Sequence, residues 1–198
     1  MTEKKMTFEE ALEKLFAQLD RLKKGDVLAL AGSIPSSMPS DTYERIMARL
    51  ENRGIDIVVD ATKELLKKVL KYHPFLIKPN NHELGDMFGL TLKDDDEIIL
   101  YGKKLQEMGA RNVLVSMAGD GAIFLNEDGS VHKSAAPTGK VKNSVGAGDS
   151  MVAGFLAGYL ESGDLAAAFK MGVAAGSASA FSEELATRQE VSDLLNKI

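Results

Sequence analysis

Residues 143–150 read Asn-Ser-Val-Gly-Ala-Gly-Asp-Ser and continue directly into the apolar run 151–160, Met-Val-Ala-Gly-Phe-Leu-Ala-Gly-Tyr-Leu. A loop of small residues followed by such a run predicts a turn that opens a buried helix. The first N–H groups of a helix have no partner within it, and the helix dipole adds positive potential there. We therefore expect the turn at Gly146, Ala147 and Gly148 to bind an anion such as phosphate.

Asp149 places a negative charge where that anion is expected. One interpretation is a general base that removes a proton from a hydroxyl attacking a phosphate. The other is a helix cap, a role that aspartate fills well. Capping alone does not require Gly-Ala-Gly in front of the aspartate, so we favour the general base.

The composition indicates one globular domain, residues 1–198. The chain is 44% hydrophobic and 27% charged, which suits a packed core. Its net charge is -5 with no basic tract, which argues against nucleic acid and membrane as partners. It has no cysteine, and its three histidines have no metal-ligand spacing. Residues 1–5 start no apolar signal segment, so we expect a cytoplasmic protein.

Strands and helices alternate along most of the chain. Apolar runs predict strands at 26–31, 55–60, 75–78 and 112–116, and helical spacing predicts helices at about 8–22, 41–50, 64–71, 82–88 and 95–108. A hairpin is predicted around Glu127-Asp128-Gly129, followed by helices at about 148–161, 165–181 and 188–197. Strands that are apolar throughout favour a mostly parallel sheet covered by helices on both faces, an α/β fold.

Four segments with polar or small residues follow predicted strands or open a helix. They are Gly32-Ser33, Lys78-Pro79-Asn80, Ser116 to Gly121, and Gly148-Asp149. Ligands of open parallel sheets bind beyond the carboxyl ends of the strands. We therefore expect the four segments to meet at one edge of the sheet.

Asn80 and Glu83 lie three residues apart at a loop-to-helix junction. An amide and a carboxylate suit a hydrated Mg²⁺, which uses few protein ligands. A capping box, with Asn80 as cap and Glu83 as its partner, explains the spacing equally well. Lys78 is interpreted either as a phosphate contact or as a solvated charge at the end of a strand.

Two further segments have a functional and a structural interpretation. The turn with Ser116, Gly119 and Gly121 permits close approach to a nucleotide, or is an ordinary turn between strands. The many small residues around Gly176 allow close helix packing, and they also leave room for a purine ring.

Together these segments resemble the ribokinase-like (PfkB) family of carbohydrate kinases, most closely its sugar-phosphate branch, which includes 1-phosphofructokinase and tagatose-6-phosphate kinase. The resemblance rests on residues 31–35, 78–83, 115–121, 143–155 and 174–178. It implies a three-layer αβα, Rossmann-like fold that ends in a hairpin and helices. It also implies ATP and Mg²⁺ as cofactors, and a fructose- or tagatose-type sugar phosphate as substrate.

The resemblance assigns roles to the same residues. It makes Asp149 the base and substrate contact, and the N–H groups of residues 146–148 the anion hole. It places Asn80 and Glu83 near Mg²⁺, through water. The remaining assignments are nucleotide contacts at Ser116, Gly119, Gly121, Lys78, Asn80 and Gly176, and a sugar-phosphate contact at Ser33.

Two departures from the family pattern bear on function. Ala118 stands where the family's nucleotide turn usually has glycine, and we expect its methyl group to fit if its φ is negative. We also expect the family's first strands, its β-lid and its sugar-gripping residues to be absent from this chain.

Three functions remain open. The first is phosphoryl transfer from ATP to fructose 1-phosphate, or to tagatose or fructose 6-phosphate. The second is a weak or inactive ATP-binding fragment. The third, ranked lower, is a kinase for a nucleoside, ribose or a vitamin precursor. A sheet edge exposed by missing strands predicts a tendency to form homodimers.

Overall fold

The computed structural model describes residues 7–198, in which helices and strands alternate as the sequence predicts. The strands are β1 Val27–Ala31, β2 Asp56–Asp60, β3 Leu76–Ile77, β4 Asn112–Ser116, β5 Ala122–Leu125 and β6 Val131–Ser134. The helices are α1 Phe8–Leu19, α2 Thr42–Leu50, α3 Lys63–Val69, α4 Asn81–Phe88, α5 Asp95–Glu107, α6 Ala147–Ser162, α7 Leu165–Phe181 and α8 Arg188–Leu195. The expectation about residues 1–5 lies outside the described range.

The six strands form one sheet in the order β1-β2-β3-β4-β5-β6. The first four run parallel, and β5 and β6 form the antiparallel hairpin. Parallel neighbours bring the carboxyl ends of β1 to β4 to one edge, where Ala31 is paired with Asp60. The predicted α/β fold is confirmed in this respect.

Alternating side chains of the strands enter two separate apolar clusters. On β2, Ile57 and Val59 pack with residues of α1 to α5, whereas Val58 packs with α6 and α7. Leu76 and Ile77 of β3 divide in the same way. Burial on both faces explains why these strands read as continuous apolar runs and not as polar–apolar alternation.

The first helix is shorter than predicted. It ends at Leu19, whereas the apolar spacing continues to Leu22. The Arg53 guanidinium donates to the carbonyls of Asp20 and Leu22, at 2.9 and 2.7 Å. A tertiary contact therefore supplies acceptor partners just beyond the helix end, which the periodicity of the segment cannot show.

The outer strand β1 has an uncovered side. Within the described residues it pairs with β2 alone, and Ala29 and Ala31 are exposed, whereas Leu30 is buried. Its sequence, Val-Leu-Ala-Leu-Ala, has no charge and no proline to discourage pairing with another strand. Within residues 7–198, no helix is long and apolar enough to cross a membrane.

Candidate active site

The loop at residues 143–146 turns sharply into α6. Gly146 is the N-cap residue with φ +80°, a left-handed conformation that favours glycine. Asp149 lies in the first turn of α6 and is exposed, and the N-cap position is filled by Gly146 and not by Asp149. The interpretation of Asp149 as a simple cap is therefore wrong, and its carboxylate is accessible at the helix N-terminus.

Donors are available at this turn. Ala147 N–H donates to the Ser144 carbonyl at 3.2 Å. The N–H groups of Gly146, Gly148 and Asp149 have no acceptor within residues 7–198. The turn thus combines free N–H groups with the positive end of the helix dipole, which is the arrangement expected of an anion site.

The loop before the turn is fixed by the end of α7. Backbone N–H groups of Lys142 and Asn143 both donate to the Ala180 carbonyl, at 2.9 and 3.2 Å. The Asn143 side chain donates to the Glu183 carbonyl at 3.1 Å and accepts from Val145 N–H at 3.0 Å. These bonds hold the turn in place before any ligand binds.

Lys78 lies beside the turn and not in solvent. It follows β3, its side chain is only 8% exposed, and Nζ lies 3.3 Å from Asp60 Oδ2. A Cβ atom at position 148 would lie 3.3 Å from the same Nζ. The interpretation of Lys78 as a solvated charge is therefore wrong, because its ammonium group lies against the first turn of α6.

Asp60 is a site residue that the motif analysis missed. It is the last residue of β2 and forms the ion pair with Lys78. Burial raises the pKa of the Asp60 carboxyl; Lys78 partly opposes this rise, and the charges of Asp149 and Glu83 add to it. Its sequence signal is an acidic residue ending the buried run Ile57-Val58-Val59, directly before a loop.

We expect this raised pKa to appear in the pH dependence of stability. The native state holds the Asp60 proton more tightly than the unfolded state, whose pKa is near the ordinary value of 3.8. The stabilisation contributed by the Asp60 carboxyl is therefore complete when the pH is below the unfolded-state pKa. It is lost as the pH rises through the pKa of the native state.

The Asp60→Asn variant cannot titrate at this position. Urea denaturation at a series of pH values from about 4 to 7 should show wild-type stability falling relative to the variant as the pH rises. The same change at exposed Asp96 supplies the baseline. If the difference in free energy of unfolding between wild type and Asp60→Asn stays constant, or grows in favour of the wild type as the pH rises, the raised pKa of Asp60 is contradicted.

Asn80 and Glu83 form a complete capping box. Glu83 N–H donates to Asn80 Oδ1 at 2.8 Å, and Asn80 N–H donates to Glu83 Oε2 at 2.9 Å. The capping interpretation is confirmed. Among the described residues, no three acidic or histidine side chains are arranged to hold a metal ion directly. The charges of Glu83 and Asp149 reach Asp60, so the residues fit a hydrated Mg²⁺ with few protein ligands.

The turn after β4 lies next to Asn80. Ser116 N–H donates to the Pro79 carbonyl at 3.2 Å, and residues 80 and 116 form an isolated parallel bridge. Ala118 has φ +49°, so the condition under which its methyl group was expected to fit is not met, and the residue is in a strained left-handed conformation. Gly119 is exposed with open space where a Cβ would lie.

Two predicted nucleotide residues have structural explanations as well. A Cβ at Gly121 would lie 2.0 Å from the Ser134 carbonyl oxygen, so glycine is required by the hairpin. A Cβ at Gly176 would lie 3.0 Å from the Ala147 carbonyl oxygen, so glycine lets α7 pack closely on α6. Close packing accounts for the small residues there, and the purine slot remains a prediction.

Gly32-Ser33 completes the edge. Gly32 has φ +83° and its N–H donates to the Asp60 carbonyl at 2.9 Å. Gly32 is thus linked to Asp60, Lys78 lies between Asp60 and the α6 turn, and Asn80 pairs with Ser116. The four segments picked out from the sequence lie along the carboxyl edge of the sheet.

These features define a class of protein: a three-layer α/β fold with a ligand site beyond the carboxyl ends of its parallel strands. The family model described as "pfkB family carbohydrate kinase" matches residues 3–191. The chain belongs to this family of carbohydrate kinases.

Several known proteins are similar to the chain. A 1-phosphofructokinase from Bacillus subtilis is 50% identical over 191 residues, 96% of this chain and 62% of that protein. A D-tagatose-1-phosphate kinase from Bacillus licheniformis is 35% identical over 175 residues, 87% of this chain and 57% of that protein. The structure of phosphofructokinase-2 from Escherichia coli with fructose-6-phosphate has a TM-score of 0.87 at 25% identity, covering 97% of this chain and 62% of that one.

The chain therefore spans about three fifths of the length of the curated relatives that it matches. The solved structures that match this chain include kinases with a ribokinase-like fold, which agrees with the predicted fold.

Proposed function

We propose that residues 1–198 form a single domain that carries the ATP-binding and catalytic part of a sugar-phosphate kinase. The observation that carries the proposal is the convergence of three groups at one helix N-terminus. They are the free N–H groups of the α6 turn, the buried Lys78 ammonium and the exposed Asp149 carboxylate. Phosphoryl transfer depends mainly on positioning and on stabilising negative charge, and these groups supply both.

The reaction proceeds in one displacement at the γ-phosphate. Asp149 accepts the proton of the attacking sugar hydroxyl, whose oxygen forms the new bond to phosphorus. The bond from phosphorus to the β–γ bridging oxygen breaks, and ADP leaves with that oxygen. The free N–H groups of Gly146 and Gly148 and the Lys78 ammonium bind the phosphoryl oxygens as charge shifts onto the leaving group, whereas the Ala147 N–H is already bonded to the Ser144 carbonyl.

Mg²⁺, when bound with ATP, neutralises charge on the β- and γ-phosphates. Glu83 and Asn80 would hold it through water, and Asp60 adds a third oxygen-bearing side chain nearby. The capping box leaves Glu83 Oε1 available for this, because the bond from Asn80 N–H goes to Oε2.

Sugar 1-phosphates are the proposed substrates. Relatives that cover most of this chain are named for 1-phosphofructokinase and D-tagatose-1-phosphate kinase activity. An assay of ADP release should show turnover with fructose 1-phosphate or tagatose 1-phosphate above that with fructose 6-phosphate. Equal rates with all of them, or with water alone, would contradict a sugar 1-phosphate kinase.

A second candidate is an ATP-binding domain that transfers phosphate slowly. Its support is the openness of the site, since Asp149 is exposed and Val145, in the adjacent loop, is 78% exposed. Exclusion of water contributes to transfer in closed kinase sites. ATP binding without sugar-dependent ADP release would favour this candidate.

We also propose that the chain forms homodimers through β1. The uncharged edge of this strand and the exposed Ala29 support self-pairing. We expect Ala29→Lys to shift sedimentation toward monomer, because a charge on an edge strand opposes pairing. The matched control is Ala48→Lys at an exposed position of α2, which should sediment like the wild type. A wild type that remains monomeric at high concentration would overturn the proposal.

A further inference from the structure

Tyr43 extends from α2 to the carboxyl end of β1. Its hydroxyl donates to the Ala31 carbonyl at 2.8 Å and lies 3.2 Å from the Gly32 carbonyl oxygen. Its half-buried ring packs against the apolar cluster beneath α1 to α5. Nothing in the packing of the ring requires a hydroxyl directed at these two carbonyls, so the oxygen has a separate effect on the loop.

The Gly32 turn is consequently held from two directions. On one side, the Gly32 N–H donates to the Asp60 carbonyl of β2. On the other, the Tyr43 hydroxyl binds the carbonyl groups that flank the turn. Gly32 has φ +83°, so the turn needs such restraints to persist in one conformation.

The restraints leave specific donors available. The backbone N–H groups of Ser33 and Ile34 have no acceptor among the described residues, and Ser33 is exposed. Together with the Ser33 hydroxyl, these are donors suited to an anionic group. These donors follow Gly32 directly in the chain. The Gly32 N–H is bonded to the Asp60 carbonyl, and the Asp60 side chain forms the ion pair with Lys78.

We propose that Tyr43 is a positioning residue whose hydroxyl holds the Gly32–Ser33 turn ready to bind the phosphate of the sugar substrate. The proposal rests on the function proposed above and adds a residue to its sugar-phosphate end. Tyr43 touches no reacting atom and acts through the turn alone.

The phenol remains a donor at physiological pH. Burial raises the pKa of Tyr43 above its ordinary value of 10.0, and the charge of Asp60 raises it further. The hydroxyl therefore keeps its proton, and its effect on the turn should not change between about pH 6 and about pH 8, because even the upper value lies about 2 units below that ordinary pKa.

The test is Tyr43→Phe, which removes one oxygen and keeps the ring. We expect the KM for fructose 1-phosphate to rise about three- to tenfold, the usual effect of one lost hydrogen bond, while the KM for ATP changes less than twofold. Amide hydrogen exchange at Gly32 should accelerate. The control is Tyr101→Phe on α5, whose ring also packs on the same cluster, and it should change neither value.

The outcomes separate the two proposals. A wild-type chain without affinity for fructose 1-phosphate would overturn the proposed function, and the substrate role of Tyr43 with it. An unchanged KM for fructose 1-phosphate in Tyr43→Phe, beside an active wild type, would overturn the role of Tyr43 alone. A parallel rise in both KM values would also overturn it, because a general loss of structure predicts that result.

Discussion

Replacement of Asp149 by asparagine is expected to lower kcat for phosphoryl transfer by about 10²- to 10⁴-fold, the range typical of a lost general base. Asparagine has nearly the same shape and keeps a polar group at the α6 N-terminus, so the turn should remain folded. Gly146 and not Asp149 is the N-cap residue of α6, so the loss of a cap does not account for the defect. Affinity for ATP should change little, because the N–H groups and Lys78 remain.

The matched control is Asp164→Asn. Asp164 is also at a helix N-terminus, where its side chain accepts from Ala166 N–H at 2.8 Å. Asparagine caps helices as well as aspartate does, so this variant should match the wild type in rate and stability. Loss of a general base is expected to lower kcat by at least about 10²-fold. Turnover by Asp149→Asn within about threefold of the wild type would therefore exclude Asp149 as the base.

Replacement of Lys78 by methionine is expected to lower the free energy of unfolding by about 3 kcal/mol, near the lower end of the range for a broken buried ion pair. The Asp60 side chain is only 18% exposed and would lose its cationic partner beside two other carboxylates. Urea denaturation at neutral pH measures the loss. ATP affinity should fall as well, because the ammonium beside the α6 turn is gone.

Two controls distinguish the pair from a general effect of charge. Lys67→Met breaks the exposed pair with Glu64, and should cost less than about 1 kcal/mol. Adding Asp60→Leu to Lys78→Met removes the stranded carboxylate and should recover most of the lost stability. A double variant no more stable than Lys78→Met would show that Asp60 is not the origin of the loss.

Most of the fold was predictable because local chemistry and tertiary packing agree. Strand 112–116 and helix 165–181 have the bounds that their apolar patterns predict. The capping box at Asn80 is present, as one of the two interpretations of that segment predicts. In each case the segment's own residues supply the caps and the apolar surface that the structure uses.

The failures have identifiable physical causes. The end of α1 depends on Arg53, which is distant in sequence. The left-handed conformation of Ala118 follows from the geometry of the turn between β4 and β5, and an alanine in the sequence does not predict such a conformation. Asp60 carries no motif, and only the pairing of β1, β2 and β3 brings it to Gly32 and Lys78. The segments that carry the site have signals in the sequence, whereas the contacts between them depend on the order of the strands in the sheet.

Calorimetric titration of the wild-type chain with Mg²⁺-ATP tests most directly whether the α6 turn binds nucleotide phosphates. We expect saturable binding that is lost in Gly148→Val, since a Cβ at 148 would lie 3.3 Å from Lys78 Nζ and occupy the space between the ammonium and the turn. Ala157→Val, at an exposed position on the same helix, should bind as the wild type does. No binding by the wild type, or equal binding by Gly148→Val, would show that the α6 turn does not bind nucleotide phosphates.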